Sequence, residues 1–494
     1  MTNRCIHNVR RAAILIFMGL HFGFSTVFAQ GIERSKPHVP TNDEMFGWVE
    51  DIVAITEGYP EFRRMGTEGD HAVRAYIVNR LKSFGIADVE EQQYDLEYRH
   101  YEKWNLDVKG ESIPAYFMRG AGFAPRPGVS GELVFVGESI PRDTDFTGKV
   151  VVFEVRGQSV PGAAAPLISD FIHDPNGTLA TGTFGGKAGA IPSNFPVSYY
   201  QASDQGATAM IAILKDYDTG TNKFYPDPSA MVQTRIPGLY LGKYDGEALL
   251  AQIEKSKNPI QASVVIQGEV RKSTSANIVA TLPGQKKDTI IVNTHHDAGF
   301  AGAVQDGSGI SSVLGLAKYF SKVPSNFRQK ELVFVFDGSH YDWNYPMGAN
   351  IFANQNPEVM DNTVLAIGIE HIAQKFAADK DGYHDTGEIE PRVLFTPPNQ
   401  LLYDATVRSI KQHNLHNTII PRKGALTMFG ETQSYYLKGI PSYSFISGPE
   451  YLFLGDDTID KVARDQFEPV VKTFISIIDS AMYLPGSWLT RVDR

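Results

Sequence analysis

The residues of this chain that could do chemistry gather in one short stretch, residues 293–309 (NTHHDAGFAGAVQDGSG). Two adjacent histidines, His295 and His296, are followed directly by Asp297, and Asp306 lies further along in a glycine-rich loop. Imidazole and carboxylate groups are common zinc ligands in proteins. The stretch therefore raises the possibility of part of a metal site, whose remaining ligands must come from elsewhere in the chain.

The segments on either side of this stretch predict how it is held. Residues 289–292 (TIIV) are β-branched and apolar, as in a buried strand, and residues 310–320 carry apolar side chains at helical spacing. His295 and Asp297 thus follow the end of a strand, and Asp306 precedes a helix. Ligands of open α/β sheets collect at the carboxyl ends of the strands.

From residue 275 onward, predicted strands alternate with predicted helices. The apolar patterns place strands at 289–294, 331–336, 363–371 and 442–447, and helices at 308–321, 347–354, 400–413 and 459–482. Such alternation is typical of a mainly parallel sheet with helices on both faces. We therefore predict an α/β fold.

The chain divides into four predicted segments. Residues 1–29 combine basic residues, an apolar stretch and a cleavage-like end, which indicates a secretory signal peptide, with an uncleaved anchor as the alternative. Residues 30–124 form the first part of the main domain, and 269–494 its metal-binding part. Residues 125–268 alternate short β-type runs with long loops, which indicates an inserted β-rich domain.

Composition limits the classes of function. The only cysteine, Cys5, lies in the predicted signal peptide, so the mature chain has neither a disulfide nor a cysteine nucleophile. An exported protein without cysteine fits a bacterial periplasm or exterior. The net charge of −10 argues against nucleic acid and anionic membranes as partners. No stable membrane insertion is expected, and the oligomeric state is not indicated.

An ordered set of motifs resembles the zinc aminopeptidase and glutamate carboxypeptidase family, which also contains glutaminyl cyclase and transferrin receptor. The set comprises RMGTEG at 64–69, His-x-Asp at 295–297, DGSG at 306–309, GIP at 439–441 and DTIDKV at 457–462. The resemblance covers most of the mature chain. It implies a zinc-exopeptidase-like fold in which residues 125–268 are a protease-associated domain.

The resemblance also implies a ligand set for one zinc ion. Two zinc ions lie close together in the family, bridged by an aspartate that matches Asp306. The first histidine of His-x-Asp is a ligand, matching His295, and Asp297 matches the aspartate that orients that imidazole. Glu370 falls where the family has an aspartate ligand of the same zinc. A glutamate in place of an aspartate still offers a carboxylate oxygen as the ligand atom.

The second metal position departs from the family. Ser339 falls at the position of the general-base glutamate and His340 at that of a glutamate ligand. Phe453 falls at the position of the last histidine ligand, and a phenyl ring cannot bind a metal. The implied site thus holds one zinc ion. His340 lies near it as a weak ligand or proton acceptor, and Asp297, Ser339 and His340 are the candidate catalytic residues.

Each of these residues also has a purely structural interpretation. Asp306 could cap the following helix, and Glu370 with His371 could form an ion pair at a strand end. His296 could be a packing residue, and His340 could belong to a solvated loop.

The function expected from the resemblance is hydrolysis of amide bonds in peptides or peptide-like small molecules by an exported, zinc-dependent, aminopeptidase-like enzyme. The alternative is a non-catalytic binding protein on a peptidase scaffold, because the general base and one histidine ligand are absent. An aminoacyl cyclase is a lesser possibility.

Overall fold

The structure is a computed structural model that describes residues 37–184, 186–187, 192–225, 232–338, 340 and 348–494. The predicted signal peptide and Ser339 lie outside the described residues.

The strands of the described part are β1 (Asp88–Val108), β2 (Glu111–Ile113), β3 (Tyr116–Phe117), β4 (Val129–Phe135), β5 (Lys149–Glu154), β6 (Val160–Pro161), β7 (Ser169–His173), β8 (Thr183–Phe184), β9 (Ala209–Leu214), β10 (Gly238–Gly242), β11 (Gln261–Leu282), β12 (Thr289–His295), β13 (Glu331–Asp337), β14 (Thr363–Ile369), β15 (Gln374–Asp379), β16 (Gly382–Ile389), β17 (Arg392–Phe395), β18 (Thr418–Pro421) and β19 (Ser442–Ser447).

The α-helices of the described part are α1 (Asn42–Glu57), α2 (Glu68–Ser83), α3 (Ala165–Ile168), α4 (Val197–Asp204), α5 (Lys243–Lys255), α6 (Gly309–Ser321), α7 (Gly348–Gln355), α8 (Pro357–Asn362), α9 (Gln400–Gln412), α10 (Gln433–Leu437), α11 (Phe467–Met482) and α12 (Gly486–Leu489). None of these described helices is long and apolar enough to cross a membrane.

One large sheet runs through the molecule in the order β3-β10-β9-β5-β4-β11-β13-β12-β14-β19-β17-β18-β7. At its centre β13, β12, β14 and β19 are parallel to one another. Their side chains are almost all buried, as expected for parallel strands that helices cover on both faces. The predicted mainly parallel α/β fold is confirmed, and the carboxyl ends of these strands meet at one edge.

The strands of the predicted insertion continue the same sheet. β4, β5, β9 and β10 form a second parallel group, and one of its faces packs in a hydrophobic cluster around Val150, Val152 and Ile211. β11 joins the two groups, since it pairs with β4 at its beginning and with β13 at its end. The boundaries at 125 and 268, and the protease-associated character of this segment, stay predictions.

The last long helix begins later than its apolar pattern predicts. α11 starts at Phe467, and the preceding residues form 3₁₀ turns at Ile459–Lys461 and Arg464–Gln466. The backbone N–H of Glu468 donates to the side chain of Asn42 at 2.8 Å. This contact binds the first turn of the helix to the start of α1, so apolar spacing alone does not fix where the helix begins.

A buried arginine holds the loop that follows β12. The side chain of Arg63 is fully buried, and its guanidinium donates to the hydroxyl of Thr56 (3.1 Å) and to the carbonyls of His296 (2.9 Å), Ala301 (2.6 Å), Gly302 (2.6 Å) and Gln305 (3.1 Å). Buried carbonyl groups need hydrogen-bond donors, and a loop without regular structure has few of its own. Arg63 supplies them.

Asp457 holds the same loop from the other side. Its two carboxylate oxygens accept the N–H groups of Val304 and Gln305, each at 2.9 Å. Burial raises the pKa of Asp457 to about 7, although these N–H groups and the charge of Arg63 oppose that rise. The loop is therefore fixed through its carbonyls by one side chain and through its amides by another.

Replacing Arg63 tests this arrangement. Arg63→Met should lower the free energy of unfolding by roughly 3–5 kcal/mol, because several buried carbonyls lose their donor at once. Denaturant titration measures the change. Arg464→Met is the matched control, since Arg464 is largely exposed and pairs with Asp43 at the surface, and it should change stability by less than about 0.5 kcal/mol. Equal effects of the two substitutions would contradict the role of Arg63.

Candidate metal centre

The candidate site lies where three parallel strands end side by side. β12 ends at His295, which is paired in register with Asp337 at the end of β13. β14 ends at Ile369, directly before Glu370. Because carboxyl ends of parallel strands face one edge of the sheet, residues distant in sequence meet there.

His295, Glu370 and His371 form a group able to hold a metal ion. One ligand atom from each lies within 4.8 Å of the others, and all three residues are buried. Among the described residues, it is the group of three or more histidine, aspartate or glutamate side chains whose ligand atoms lie this close together. Two of its members, His295 and Glu370, belong to the predicted ligand set, while His371 does not.

His371 is prepared for metal binding by its surroundings. Its Nδ1 lies 2.6 Å from the carbonyl oxygen of Ser447, so Nδ1 carries the proton and Nε2 keeps its lone pair. Burial lowers the pKa of His371 well below its ordinary value, so the ring is neutral. Within the described structure Nε2 has no hydrogen-bond partner. A backbone carbonyl behind a histidine ligand is a common arrangement in metal sites.

His295 is oriented by Asp297. Its Nδ1 lies 3.0 Å from the backbone oxygen of Asp297 and 3.4 Å from a carboxylate oxygen of the same residue. Burial, followed by the charge of His340, lowers the pKa of His295 to about 4, so this imidazole is also neutral. Burial alone would raise the pKa of Asp297, but the hydrogen bond with His295 holds it below its usual range. Asp297 thus lies where its predicted orienting role requires.

Asp306 lies outside this cluster of three residues, and its role as a ligand stays a prediction. Its carboxylate accepts the hydroxyl of Thr294 and the N–H groups of Gly309 (3.1 Å) and His371 (3.2 Å). Burial, with the charge of Glu370, raises the pKa of Asp306 well above its ordinary value. Its contacts are those of the structural alternative, a cap on the first turn of α6 that also holds the backbone of His371.

His340 pairs with a carboxylate that has no part in the predicted site. Its Nδ1 contacts Oε1 of Glu431, and its ring stacks on His295 with centroids 4.0 Å apart. Burial alone would lower the pKa of His340, but the charge and hydrogen bond of Glu431 raise it to about 10. In this arrangement Nδ1 of His340 is engaged by Glu431. The roles of weak ligand and of proton acceptor stay predictions.

His296 points away from the cluster. Its Nε2 lies 3.0 Å from the carbonyl oxygen of Ala276, and its Nδ1 lies 3.4 Å from a carboxylate oxygen of Asp70. Asp70 in turn accepts the N–H of Gly66 and the guanidinium of Arg74. These contacts agree with the interpretation of His296 as a packing residue.

A small pocket adjoins the loop that Arg63 holds. Its wall includes the aromatic rings of Tyr225, Phe300 and Phe453. Gln305 and Asp457 line it as well, and the side chain of Gln305 approaches Nε2 of His340 at 3.5 Å. Phe453, at the family position of a histidine ligand, therefore contributes an apolar wall.

The donor set of the cluster fits zinc. Two neutral imidazoles and one carboxylate are a combination that catalytic zinc sites use, with a further position left for water or substrate. Both imidazoles have their second nitrogen fixed by an oxygen atom, which orients the rings. The residues present thus suit one zinc ion.

Sequence reasoning missed two residues of this centre. His371 was considered only as an ion-pair partner of Glu370, although its position directly after a strand end was a usable signal. Glu431 follows Gly430 in a segment without any apolar period. No sequence signal was available for it.

Comparison with known proteins agrees with this architecture. Residues 277–383 match the profile of Peptidase family M28. A zinc aminopeptidase from Bacillus subtilis has a similar structure, with a TM-score of 0.66 and 16% identity over 91% of this chain and 98% of that chain.

Two further solved structures are similar. An aminopeptidase from Aneurinibacillus sp. strain AM-1 gives a TM-score of 0.56 and 21% identity over 90% of this chain and 93% of that chain. A Peptidase M28 precursor from Shewanella amazonensis SB2B gives a TM-score of 0.64 and 13% identity over 89% of this chain and 97% of that chain. No curated protein sequence matches the chain significantly.

The chain thus shares the fold of these aminopeptidase structures. The segment similar to Peptidase family M28 runs from the end of β11 to the start of β16 and includes His295, Glu370 and His371, in agreement with the resemblance that the motifs predicted.

Zinc content separates the ligands from the structural carboxylate. His295→Ala and His371→Ala should each lose bound zinc, because each removes one of three ligands. Asp306→Asn should keep it, since asparagine still accepts hydrogen bonds at this position. Elemental analysis of the purified variants measures the difference. Loss of zinc from a folded Asp306→Asn protein would restore Asp306 to the ligand set.

Proposed function

We propose that this chain is an exported, zinc-dependent, aminopeptidase-like hydrolase that cleaves amide bonds in peptides or peptide-like small molecules with a single zinc ion. His295, Glu370 and His371 are the proposed ligands. The observation that carries the proposal is the convergence of these three buried side chains at the end of parallel strands. Burial lowers the pKa of both histidines, which favours the neutral imidazoles that bind zinc.

The zinc ion would polarise the scissile carbonyl group and lower the pKa of its bound water. The protein's own residues orient and shield the reaction. Asp297 and the carbonyl of Ser447 fix the two imidazole rings. Phe300 and Phe453 give the adjoining pocket apolar walls that exclude water.

The proposed enzyme lacks the glutamate that accepts a proton from water in related enzymes. Ser339 stands at the family position of the general base, and a hydroxyl group does not accept a proton from water near neutral pH. Loss of a general base typically lowers the rate by about 10²–10⁴-fold. We therefore expect slow hydrolysis compared with related aminopeptidases.

Export and domain organisation complete the proposal. Residues 1–29 have the composition of a secretory signal peptide, and the chain has no cysteine after Cys5. Both features support secretion or a periplasmic location in a bacterium. Residues 125–268 are proposed as a protease-associated insertion, supported by the second parallel group of strands β4, β5, β9 and β10.

Chelation tests the metal-dependent mechanism. EDTA should remove the hydrolysis of aminoacyl and dipeptide substrates, and about one equivalent of zinc should restore it, because the proposed cluster offers ligands for one ion. Activity is measured on a substrate panel before and after treatment. Hydrolysis that persists unchanged after the metal has been removed would reject the mechanism.

His340 distinguishes a one-zinc site from a rebuilt two-zinc site. His340→Ala should lower activity while zinc stays near one per chain, since His340 is engaged by Glu431 rather than by the ligand cluster. Kinetics and elemental analysis of the same preparation give both values. Two zinc ions in the wild-type chain, falling to one in the variant, would make His340 a ligand.

A second candidate function is a non-catalytic binding protein. The pairing of His340 with Glu431 favours it, because the second metal position of the family is filled by an internal ion pair. Phe453, at the position of the last histidine ligand, is buried in the core. Elemental analysis discriminates between the candidates, since a site of three ligands and water retains zinc. Content below about 0.1 per chain favours the binding protein.

A further inference from the structure

Glu431 connects the two halves of the candidate site. It lies in the segment 429–432, between β18 and α10, and is fully buried. Its side chain contacts His340, and its backbone contacts Glu370. Neither the motifs nor the function proposed above assigns a role to this residue.

The side chain of Glu431 fixes the ring of His340. Oε1 accepts a hydrogen bond from Nδ1 of His340, so the ring cannot turn without breaking a buried contact. The ring consequently lies flat against His295, at an interplanar angle of 7°. Its other nitrogen is directed toward Gln305, which lines the adjoining pocket. Glu431 thereby sets which edge of His340 faces that pocket.

The backbone of Glu431 fixes the carboxylate of Glu370. Its N–H donates to Oε1 of Glu370 at 2.9 Å. The approach requires glycine at the preceding position, since Gly430 has φ +90° and a Cβ atom there would lie 2.5 Å from Oε1 of Glu370. The hydroxyl of Ser444 donates to the carbonyl of Phe429 at 2.7 Å, which holds the segment against β19.

We propose that Glu431 is a positioning residue, which sets the orientation of His340 for catalysis through its side chain and that of Glu370 through its backbone. The proposal rests on the proposed hydrolase function. A fully buried carboxylate is costly unless it is paired, and an apolar side chain of similar size would fill the same space. The pairing with His340 is therefore what distinguishes Glu431 from a packing residue.

Kinetics of matched variants test the role of the side chain. Glu431→Leu conserves volume and the backbone N–H, so zinc content should equal that of the wild type while kcat falls about 10–100-fold with little change in KM. Glu431→Gln keeps an acceptor oxygen and should recover part of this loss. In the background of His340→Ala, Glu431→Leu should cause no further loss, because the two residues act as one unit.

Additive losses in the double variant, or an unchanged kcat in Glu431→Leu, would overturn the proposal. If Glu431→Leu does not fold, Glu431→Gln carries the same comparison, with a loss expected only when His340 is present. Glu450→Gln is the matched control, since Glu450 is also buried but accepts the N–H of Lys187 instead. It should keep kcat within about twofold.

A spectroscopic measurement separates this proposal from the hydrolase function. In protein labelled with ¹⁵N-histidine, the Nδ1–H signal of His340 is assigned by its absence in His340→Ala. It should be present in the wild type, shifted in Glu431→Gln and lost in Glu431→Leu. Persistence of the signal in Glu431→Leu overturns the positioning role. If the wild type hydrolyses no substrate but the signals follow this pattern, the proposed hydrolase function is rejected while the contact between Glu431 and His340 is supported.

Discussion

The guanidinium group of Arg63 holds the loop on which the candidate metal centre depends. This loop leaves β12 at His295 and reaches α6 at Gly309 through the protein interior, and its second half is a distorted π-helical turn at Ala303–Ser308. One planar cation with several N–H donors satisfies its carbonyls together, which a lysine could not do in the same geometry. Asp457 satisfies amides of the same loop, so the position of the site is set by two side chains remote in sequence.

The second constraint is the density of acidic groups at one sheet edge. Burial raises the pKa of Asp306 and of Asp337, whereas histidines keep the pKa of Asp297 and of Glu431 below their usual range. The edge thus combines carboxyl groups whose pKa is raised with carboxylates whose pKa is held down by histidines. This division lowers the repulsion between groups that are fully buried. It is the electrostatic setting in which Glu370 lies beside two neutral imidazoles.

The sequence predicted the fold and the edge of the sheet better than the contacts within the site. Strand ends follow from apolar runs, so the placement of His295 and of Glu370 could be expected from local pattern. The contacts of Asp306 depend on Thr294 and on the backbone of His371, which no spacing rule describes. His371 itself has φ +58°, a backbone conformation set by the tertiary structure. Glu431 is brought in by a loop, and loops have no period to interpret.

The two long strands β1 and β11 run antiparallel along nearly their whole length, with one irregularity near Tyr101. β11 connects the two parallel groups of the sheet, since it pairs with β4 at its beginning and with β13 at its end. A paired two-stranded ribbon resists bending more than a single-stranded linker does, because bending strains its hydrogen bonds as well as its backbone. The connection between the two groups is therefore stiff along the length of β1 and β11.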